Sequence, residues 1–440
     1  MSEPTRAAAP AGAAPAPATD TGGTDGGAAT PPGDRRWHEA FARIVSGGWA
    51  VSLGAVVLAI LAGSVMIAFT DEAVQESAGY FFARPADTFA AIGQAVGGAY
   101  AALFRGAVWN YEADSFAAAV RPLTQSLTYA TPLIAAGLGV AVAFRAGMFN
   151  IGGQGQLLVS AAAAGWVGFA FDLPVGLHLV VAVVVGILAG ALWAGIAGLL
   201  KAATGAHEVI VTIMLNYIAF YLLSYLLATP GLLQAPGSAN PKTPAMAETA
   251  VMPGLLGDRY NLHVGFLLVL GAVVLVWWLL NRSSLGFGFR ALGENAHAAR
   301  VAGIDVRRTT VLAMGVAGAL VGLAGTTQVL GLITTGFGAD IDAGVGFDAI
   351  TVALLGGSSP VGVLLAGILF GAFKAGGSSM QALEGVPIEI VLVVQSLIVL
   401  FIAAPPLVRA VFRLPQPGGR ARRRPGRGAT GTPTSQEVAA

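Results

Sequence analysis

Long apolar runs separated by polar loops constrain this chain more than any other feature of its sequence. A helix that spans a lipid bilayer needs about 20 mostly apolar residues. The runs that we interpret as spans are Ile44–Phe69, Leu123–Phe144, Leu157–Phe171, Val175–Leu200, Val209–Ala228, Val264–Leu280, Val311–Leu332 and Pro387–Leu407. Only 11% of the residues are charged, against about 25% in a soluble domain. Lipid must therefore surround most of the chain.

Two shorter apolar stretches, Phe347–Leu355 and Val361–Lys374, flank a Gly-Gly-Ser-Ser-Pro turn. Each is short for a full span, so they are either two compressed crossings or a re-entrant pair that lines a cavity. We predict an all-α polytopic membrane protein with about ten transmembrane or re-entrant helices, and eight crossings are the alternative.

Composition divides the chain into three parts. Residues 1–36 are rich in Ala, Pro, Gly and Thr, and residues 415–440 are similar but basic. Neither segment can bury enough apolar surface to offset its ordering entropy, so we predict two disordered tails. Residues 37–414 form the predicted membrane domain.

The distribution of Lys and Arg predicts the orientation. Basic residues cluster before the first span, in the polar island 286–308 and after the last span. Such clusters favour the cytoplasmic side, so we expect both termini and the island to be cytoplasmic. The acidic segment 71–115 and the loop 229–261 then lie outside, and Thr88–Leu103 is predicted to be a short helix on the membrane surface.

Polar residues interrupt the apolar pattern at Ala146–Gln156, which reads AGMFNIGGQGQ. Its glycines let the backbone leave helical geometry, and Asn150, Gln154 and Gln156 supply hydrogen-bond donors and acceptors. The segment is either a cytoplasmic turn or a lining of the transport path. Glu208 and Asn216 pose a similar choice, since Glu208 is favourable at a helix start and Asn216 can serve helix packing or the path.

We expect the remaining charged residues in apolar regions to have structural roles or to be solvated. We expect Asp340 and Asp342 to be solvated in a loop, and Asp348 to cap a helix N-terminus. Lys374 ends its apolar run and can reach the interface, so no role is assigned to it.

Several function classes lack support in the sequence. No P-loop motif is present, so we do not expect this chain to hydrolyse nucleotide. No nucleophile–base constellation stands out, which weakens an intramembrane enzyme. The absence of Cys, the scattered His residues and the net charge of +1 predict no metal site, no cofactor and no nucleic-acid partner.

Four motifs occur in order: FRAGMFNIGGQGQ, HEVIVTIMLNYIA, GFGFRALGENAHAARVAGI and GFDAITVALLGGSSPVG. Together they resemble the permease subunits of bacterial ABC importers of the branched-chain amino acid and simple-sugar superfamily, most closely its nucleoside branch. The resemblance covers most of residues 37–413.

The resemblance implies a bacterial plasma-membrane permease that works by alternating access. Its implied partners are a cytoplasmic ABC ATPase, a second permease in a heterodimer and an extracellular substrate-binding lipoprotein. The island would hold the coupling helix that contacts the ATPase, with Gly293, Glu294, Ala298, Ala299, Arg300 and Gly303 at the motif positions. The amide motifs would place Asn150, Gln154, Gln156, Glu208 and Asn216 near the substrate path.

Two features depart from the pattern and leave the substrate open. His207 stands where a small amide is expected, and Gln154 stands where Ala or Glu is common. The main alternative is a simple-sugar permease. An ion-coupled secondary transporter is a weaker alternative, because it predicts paired acids at the bilayer midplane and an inverted repeat.

Overall fold

The computed structural model describes residues 48–257 and 259–412, which are mostly α-helical. The predicted disordered tails, residues 1–36 and 415–440, lie outside these ranges. The helices are α1 (Gly48–Thr70), α2 (Glu72–Ala78), α3 (Pro85–Ala107), α4 (Phe116–Arg145), α5 (Gly153–Ala170), α6 (Leu177–Thr204), α7 (Glu208–Ala228), α8 (Gly265–Arg282), α9 (Ser284–Glu294), α10 (Ala296–Val301), α11 (Val306–Thr327), α12 (Val345–Leu355), α13 (Pro360–Glu384), α14 (Ile388–Ala403) and α15 (Pro405–Phe412).

Helix length and hydropathy confirm the predicted fold class. Seven helices in the described part of the chain are long and apolar enough to cross a membrane: α1, α4, α6, α7, α8, α11 and α13. The apolar helices α12 and α14 are shorter. With the Gly- and Ala-rich α5, these make the predicted all-α polytopic architecture of about ten spanning or re-entrant helices.

One of the two stretches predicted to be short is a full-length helix. The run Val361–Lys374 continues to Glu384, which gives α13 a length of 25 residues. Hydropathy falls after Lys374 because the next residues are Ala, Gly and Ser. These small residues let α3 approach closely, since a Cβ on Gly106 would collide with Ser379 and one on Gly376 would meet Leu103. Tertiary packing therefore extends α13 where the sequence pattern ends.

Two other predicted boundaries also change. The helix predicted at Thr88–Leu103 is longer, and it packs on the bundle: the Tyr100 hydroxyl of α3 donates to the Ile60 carbonyl of α1 at 2.7 Å. The run Pro387–Leu407 is broken after Ala403, because Pro405 and Pro406 cannot continue a helix but can start one.

Helix α4 lies at the centre of the described bundle. Every residue from Ala130 to Ala143 is buried, and α11, α13, α12 and α8 pack around it. Small residues make this possible, because Gly137 faces Val352 of α12 and Val363 of α13. The core therefore sits around the C-terminal half of α4.

The most extensive helix pair, α6 with α11, is built on facing glycines. Gly186 and Gly190 in α6, and Gly318 and Gly322 in α11, each form a G-x-x-x-G pattern. A Cβ on Gly190 would lie 2.5 Å from the Gly318 carbonyl oxygen and 2.7 Å from the Gly322 Cα. The two backbones are thus in direct contact, as in other small-residue interfaces between membrane helices.

We predict that Gly318→Ala lowers the melting temperature of the purified protein, because its Cβ would collide with the Gly190 carbonyl. Gly315→Ala is the matched control. It lies one turn away with open space around the added Cβ, so it should be neutral or stabilising by up to about 1 kcal/mol. Equal melting temperatures for the two variants would contradict the close packing of α6 and α11.

Candidate functional site

The connection between α4 and α5 is a break in helical geometry that three buried amides hold together. Helix α4 ends at Arg145 and α5 begins at Gly153. The Asn216 side chain of α7 donates to the Ile151 carbonyl at 3.0 Å and accepts from the Gly155 N–H at 2.8 Å. Non-helical backbone near lipid must find partners within the protein. Asn216 supplies them from the neighbouring helix.

Asn150 and Gln156 complete this network. The Asn150 Oδ1 accepts from the Gly152 N–H at 2.9 Å and from the Gln156 Nε2 at 3.1 Å. Asn150, Gln156 and Asn216 are each at most 4% exposed. The structure thus brings together three of the predicted site residues: Asn150 and Asn216 pair with backbone groups, and Gln156 pairs with Asn150. Their role in lining a path stays a prediction.

The other two predicted path residues lie at the edges of this break. Gln154 is half-buried where α5 meets α12, and a Cβ on Gly153 would lie 2.7 Å from the Gly346 carbonyl oxygen. Glu208 begins α7, forms a 2.6 Å ion pair with Lys201 of α6, and has the Phe149 N–H within 3.5 Å. Glu208 therefore connects α6, α7 and the break.

The side chain of His207 is largely exposed beside this ion pair. Its Nδ1 lies 4.0 Å from the Glu208 carboxylate, and the residue precedes the first turn of α7.

The polar island contains two short helices, where one was predicted. The Ser283 hydroxyl caps α9 by accepting from the Gly286 N–H at 2.9 Å. The Asn295 side chain caps α10 by accepting from the His297 and Ala298 N–H groups at 2.9 and 3.0 Å. Gly303 ends this turn at φ +84°, a left-handed conformation that favours glycine. Side-chain capping therefore fixes the shape of a segment with little buried area.

The predicted coupling positions divide between a buried and an exposed side of the island. Ala299 is 2% exposed, whereas Glu294, Ala298 and Arg300 are exposed. Val301, which was not among the predicted coupling residues, is 90% exposed. An apolar side chain presented so fully beside exposed alanines suits contact with another protein.

Gly293 connects the island to the helix break. A Cβ on Gly293 would collide with the Arg145 carbonyl oxygen and lie 3.0 Å from the Gly147 nitrogen. The end of α9 therefore rests directly on backbone at the end of α4. From there the chain continues into the segment that Asn216 and Glu208 hold.

Three charged residues that were interpreted as structural or solvated behave differently in the structure. Lys374 forms a 2.9 Å ion pair with Asp348 and donates to the Ala343 carbonyl at 3.1 Å. Asp342 was expected to be solvated, but it is 4% exposed and accepts from the Gly344 and Gly346 N–H groups. Asp342 thus caps α12, the role expected of Asp348. A lysine within a spanning helix often has a functional role, and the prediction that Lys374 simply reaches the interface overlooked this.

Comparisons with known proteins identify a permease family and several relatives. The family model described as the permease component of branched-chain amino acid transport systems matches residues 123–403. The guanosine ABC transporter permease protein NupP of Bacillus subtilis is 43% identical, over 66% of this chain and 82% of that protein. The nucleoside ABC transporter permease protein NupB of Lactococcus lactis is 36% identical, over 67% and 83%. The glucose ABC transporter permease protein TsgB13 of Haloferax volcanii is 36% identical, over 64% and 75%. No solved structure matches the chain significantly.

We predict that Asn216→Ala lowers the melting temperature, because it leaves the Ile151 carbonyl and the Gly155 N–H unpaired. Each unpaired buried group costs about 1–3 kcal/mol. Asn281→Ala is the control, since Asn281 is an exposed asparagine that bonds only within its own helix, to the Trp277 carbonyl. A normal melting temperature combined with reduced transport would instead assign Asn216 to the path.

Proposed function

The chain belongs to the permease family of branched-chain amino acid transport systems, and on that premise we propose that it forms part of an ATP-driven importer of nucleosides. It is a multi-pass membrane protein and a transport subunit, not an enzyme. In the proposed complex it pairs with a second, different permease, and a separate cytoplasmic ATPase hydrolyses ATP. A substrate-binding lipoprotein delivers the solute from outside, and both termini are cytoplasmic.

The observation that carries the substrate class, together with the named relatives, is a tyrosine face on α7. Tyr217, Tyr221 and Tyr225 follow at intervals of four residues, so they share one face of the helix. They are 58%, 66% and 63% exposed. A phenol hydroxyl seeks a hydrogen-bond partner, which the hydrocarbon core of the bilayer cannot provide. We propose that this face lines the path between the two permeases, where the rings stack on nucleoside bases.

A simple-sugar importer is the second candidate, because a glucose permease is among the relatives. Sugars also pack on aromatic rings, but they offer only hydroxyls, whereas a base adds a flat face and a hydrogen-bonding edge. Three aromatic rings on one helix face therefore favour a nucleoside, although a sugar would also fit against them.

The polar island suggests how ATP hydrolysis is coupled to movement of the membrane helices. Val301, Ala298 and Arg300 give α10 an exposed surface for the ATPase, and Gly293 presses α9 onto the end of α4. We propose that movement of α9 and α10 passes through this backbone contact to the break at residues 146–152. From there it reaches α7 through Asn216 and Glu208. Gly293, Glu294, Ala298, Ala299, Arg300 and Gly303 are the proposed coupling residues.

We predict that Gly293→Ala in the assembled complex reduces uptake per ATP hydrolysed several-fold, because the added methyl pushes α9 away from Arg145. Gly288→Ala is the matched control on the same helix, where the added Cβ meets only Thr309 at 3.7 Å. Uptake and ATP hydrolysis are measured together in proteoliposomes. An unchanged ratio for Gly293→Ala would contradict the proposed route.

We predict that the complex imports guanosine, that a protonophore leaves this uptake intact while ATP is present, and that ribose and glucose do not compete. Labelled guanosine uptake in cells lacking other nucleoside importers measures all three. Uptake of sugar but not of guanosine would show that the substrate is a sugar. Uptake that continues after ATP depletion but stops with the protonophore would show that an ion gradient, not ATP, drives transport.

A further inference from the structure

Two cavities lie one after the other in the groove between α4 and α13. The outer cavity has a volume of 640 Å³ and is lined by Arg121 and Gln125 of α4 together with Ser379 of α13. The inner cavity has a volume of 560 Å³ and is lined by Tyr129 of α4 and Lys374 of α13. Ser378 borders both. The two cavities are therefore neighbours along one groove.

Polar side chains occur at helical spacing on both walls of the groove. Arg121, Gln125 and Tyr129 follow at intervals of four residues, which places them on one face of α4. Lys374 and Ser378 have the same spacing on α13. A polar side chain thus appears at each turn of α4 from the outer cavity to the inner one.

The inner cavity contains two buried amides with unused hydrogen-bonding capacity. Gln328 is 2% exposed, and its Nε2 donates to the Ile341 carbonyl at 3.2 Å while its Oε1 has no partner among the described residues. Gln395 is 4% exposed, and its Nε2 likewise has no described partner. Such groups are rare in folded proteins because each costs free energy. Both atoms lie beneath the cavity surface, so rotation of each amide toward the cavity would let a bound solute with one donor and one acceptor pair them.

The charge of the inner cavity selects a neutral solute. The Lys374 ammonium is already paired with the Asp348 carboxylate at 2.9 Å, so it offers a solute no free charge. Lysine has three protons, and Asp348 and the Ala343 carbonyl accept two of them. Tyr129 and Phe373 add aromatic walls. The volume lies within the range of about 300–1,000 Å³ that small-molecule sites occupy.

We propose that the inner cavity is a solute-binding chamber on the import route, separate from the tyrosine face of α7, that it binds the base edge of a neutral nucleoside, and that the outer cavity is its entrance. This rests on the proposed function. Gln328 accepts from the base, Gln395 donates to it, and Tyr129 and Phe373 flank the ring. A charged solute is disfavoured because the ion pair leaves it no counter-charge.

The first test removes the amides one at a time in the full complex. Gln328→Met and Gln395→Met keep similar volume but lose the polar atoms. We expect each to raise the KM for guanosine about fivefold, which corresponds to about 1 kcal/mol at 1.4 kcal/mol per tenfold. The melting temperature of Gln395→Met should stay equal or rise, since an unpaired buried group is removed, whereas Gln328→Met also removes the donor to the Ile341 carbonyl and should lower it. Gln381→Met, at an exposed position of α13 outside both cavities, is the control.

A purely structural role would give a different pattern. A lower melting temperature with an unchanged KM for both glutamine variants overturns the proposal. If the wild-type complex imports a sugar and no nucleoside, the proposed function fails, and the chamber is tested separately by the KM for that sugar.

The second test uses the fact that the chain contains no Cys. Ser378→Cys introduces a single thiol between the cavities, and a charged methanethiosulfonate reagent added from outside should modify it. We expect millimolar guanosine to slow this reaction severalfold and to leave Asn240→Cys, an exposed loop position, unaffected. No protection in a complex that imports guanosine overturns the chamber. Protection by added phospholipid alone would show a lipid site instead.

Discussion

Direct contact between helix backbones, made possible by glycine, is the constraint on which the rest of this structure depends. Lipid provides no hydrophobic force to join membrane helices, so close van der Waals approach must do so. Gly190 and Gly318 join α6 to α11, and Gly139 brings α4 against the Ala317 carbonyl of α11. Gly293 uses the same device to seat α9 on the end of α4. The proposed transmission of force is thus an extension of the packing that holds the bundle.

Where the chain is not helical, its backbone N–H and carbonyl groups need hydrogen-bond partners within the closely packed bundle. Side-chain amides supply these partners. Between Arg145 and Gly153 the Gly147 and Met148 N–H groups still bond to the last turn of α4, but the Ile151 carbonyl and the Gly155 N–H pair with Asn216 of α7. The connection is specific, because an amide presents a donor and an acceptor at once. Glu208 adds an ion pair with Lys201 at the start of the same helix. A movement of α9 therefore meets a stiff connection, which suits transmission of force.

The sequence predicted the fold class and most helices because hydropathy measures contact with lipid, and lipid dominates this chain. It failed where protein packing replaces lipid. The segment after Lys374 is helical because Gly376 and Ser379 pack on α3, and hydropathy carries no such information. The four motifs contain Ile151, Asn216 and Asp348, yet the sequence could not show that Asn216 meets the Ile151 carbonyl or that Lys374 meets Asp348. Those pairings depend on which helices are neighbours, and single-sequence periodicity does not specify neighbours.

The polar groups of the membrane region fall into two kinds, and the difference bears on transport. Asn150, Gln156 and Asn216 are fully engaged with backbone or with one another, so they can bind a solute only by giving up bonds they already make. Gln328 and Gln395 keep unused capacity beside a cavity, so they can bind a solute without such a loss. An importer must also release its cargo, which favours a few neutral hydrogen bonds of about 1 kcal/mol each over a charged contact. The ion pair of Lys374 and Asp348 satisfies this requirement, because each charge is already compensated within the protein. Selection of a neutral solute then follows from the same pairing that lets two charges reside among spanning helices.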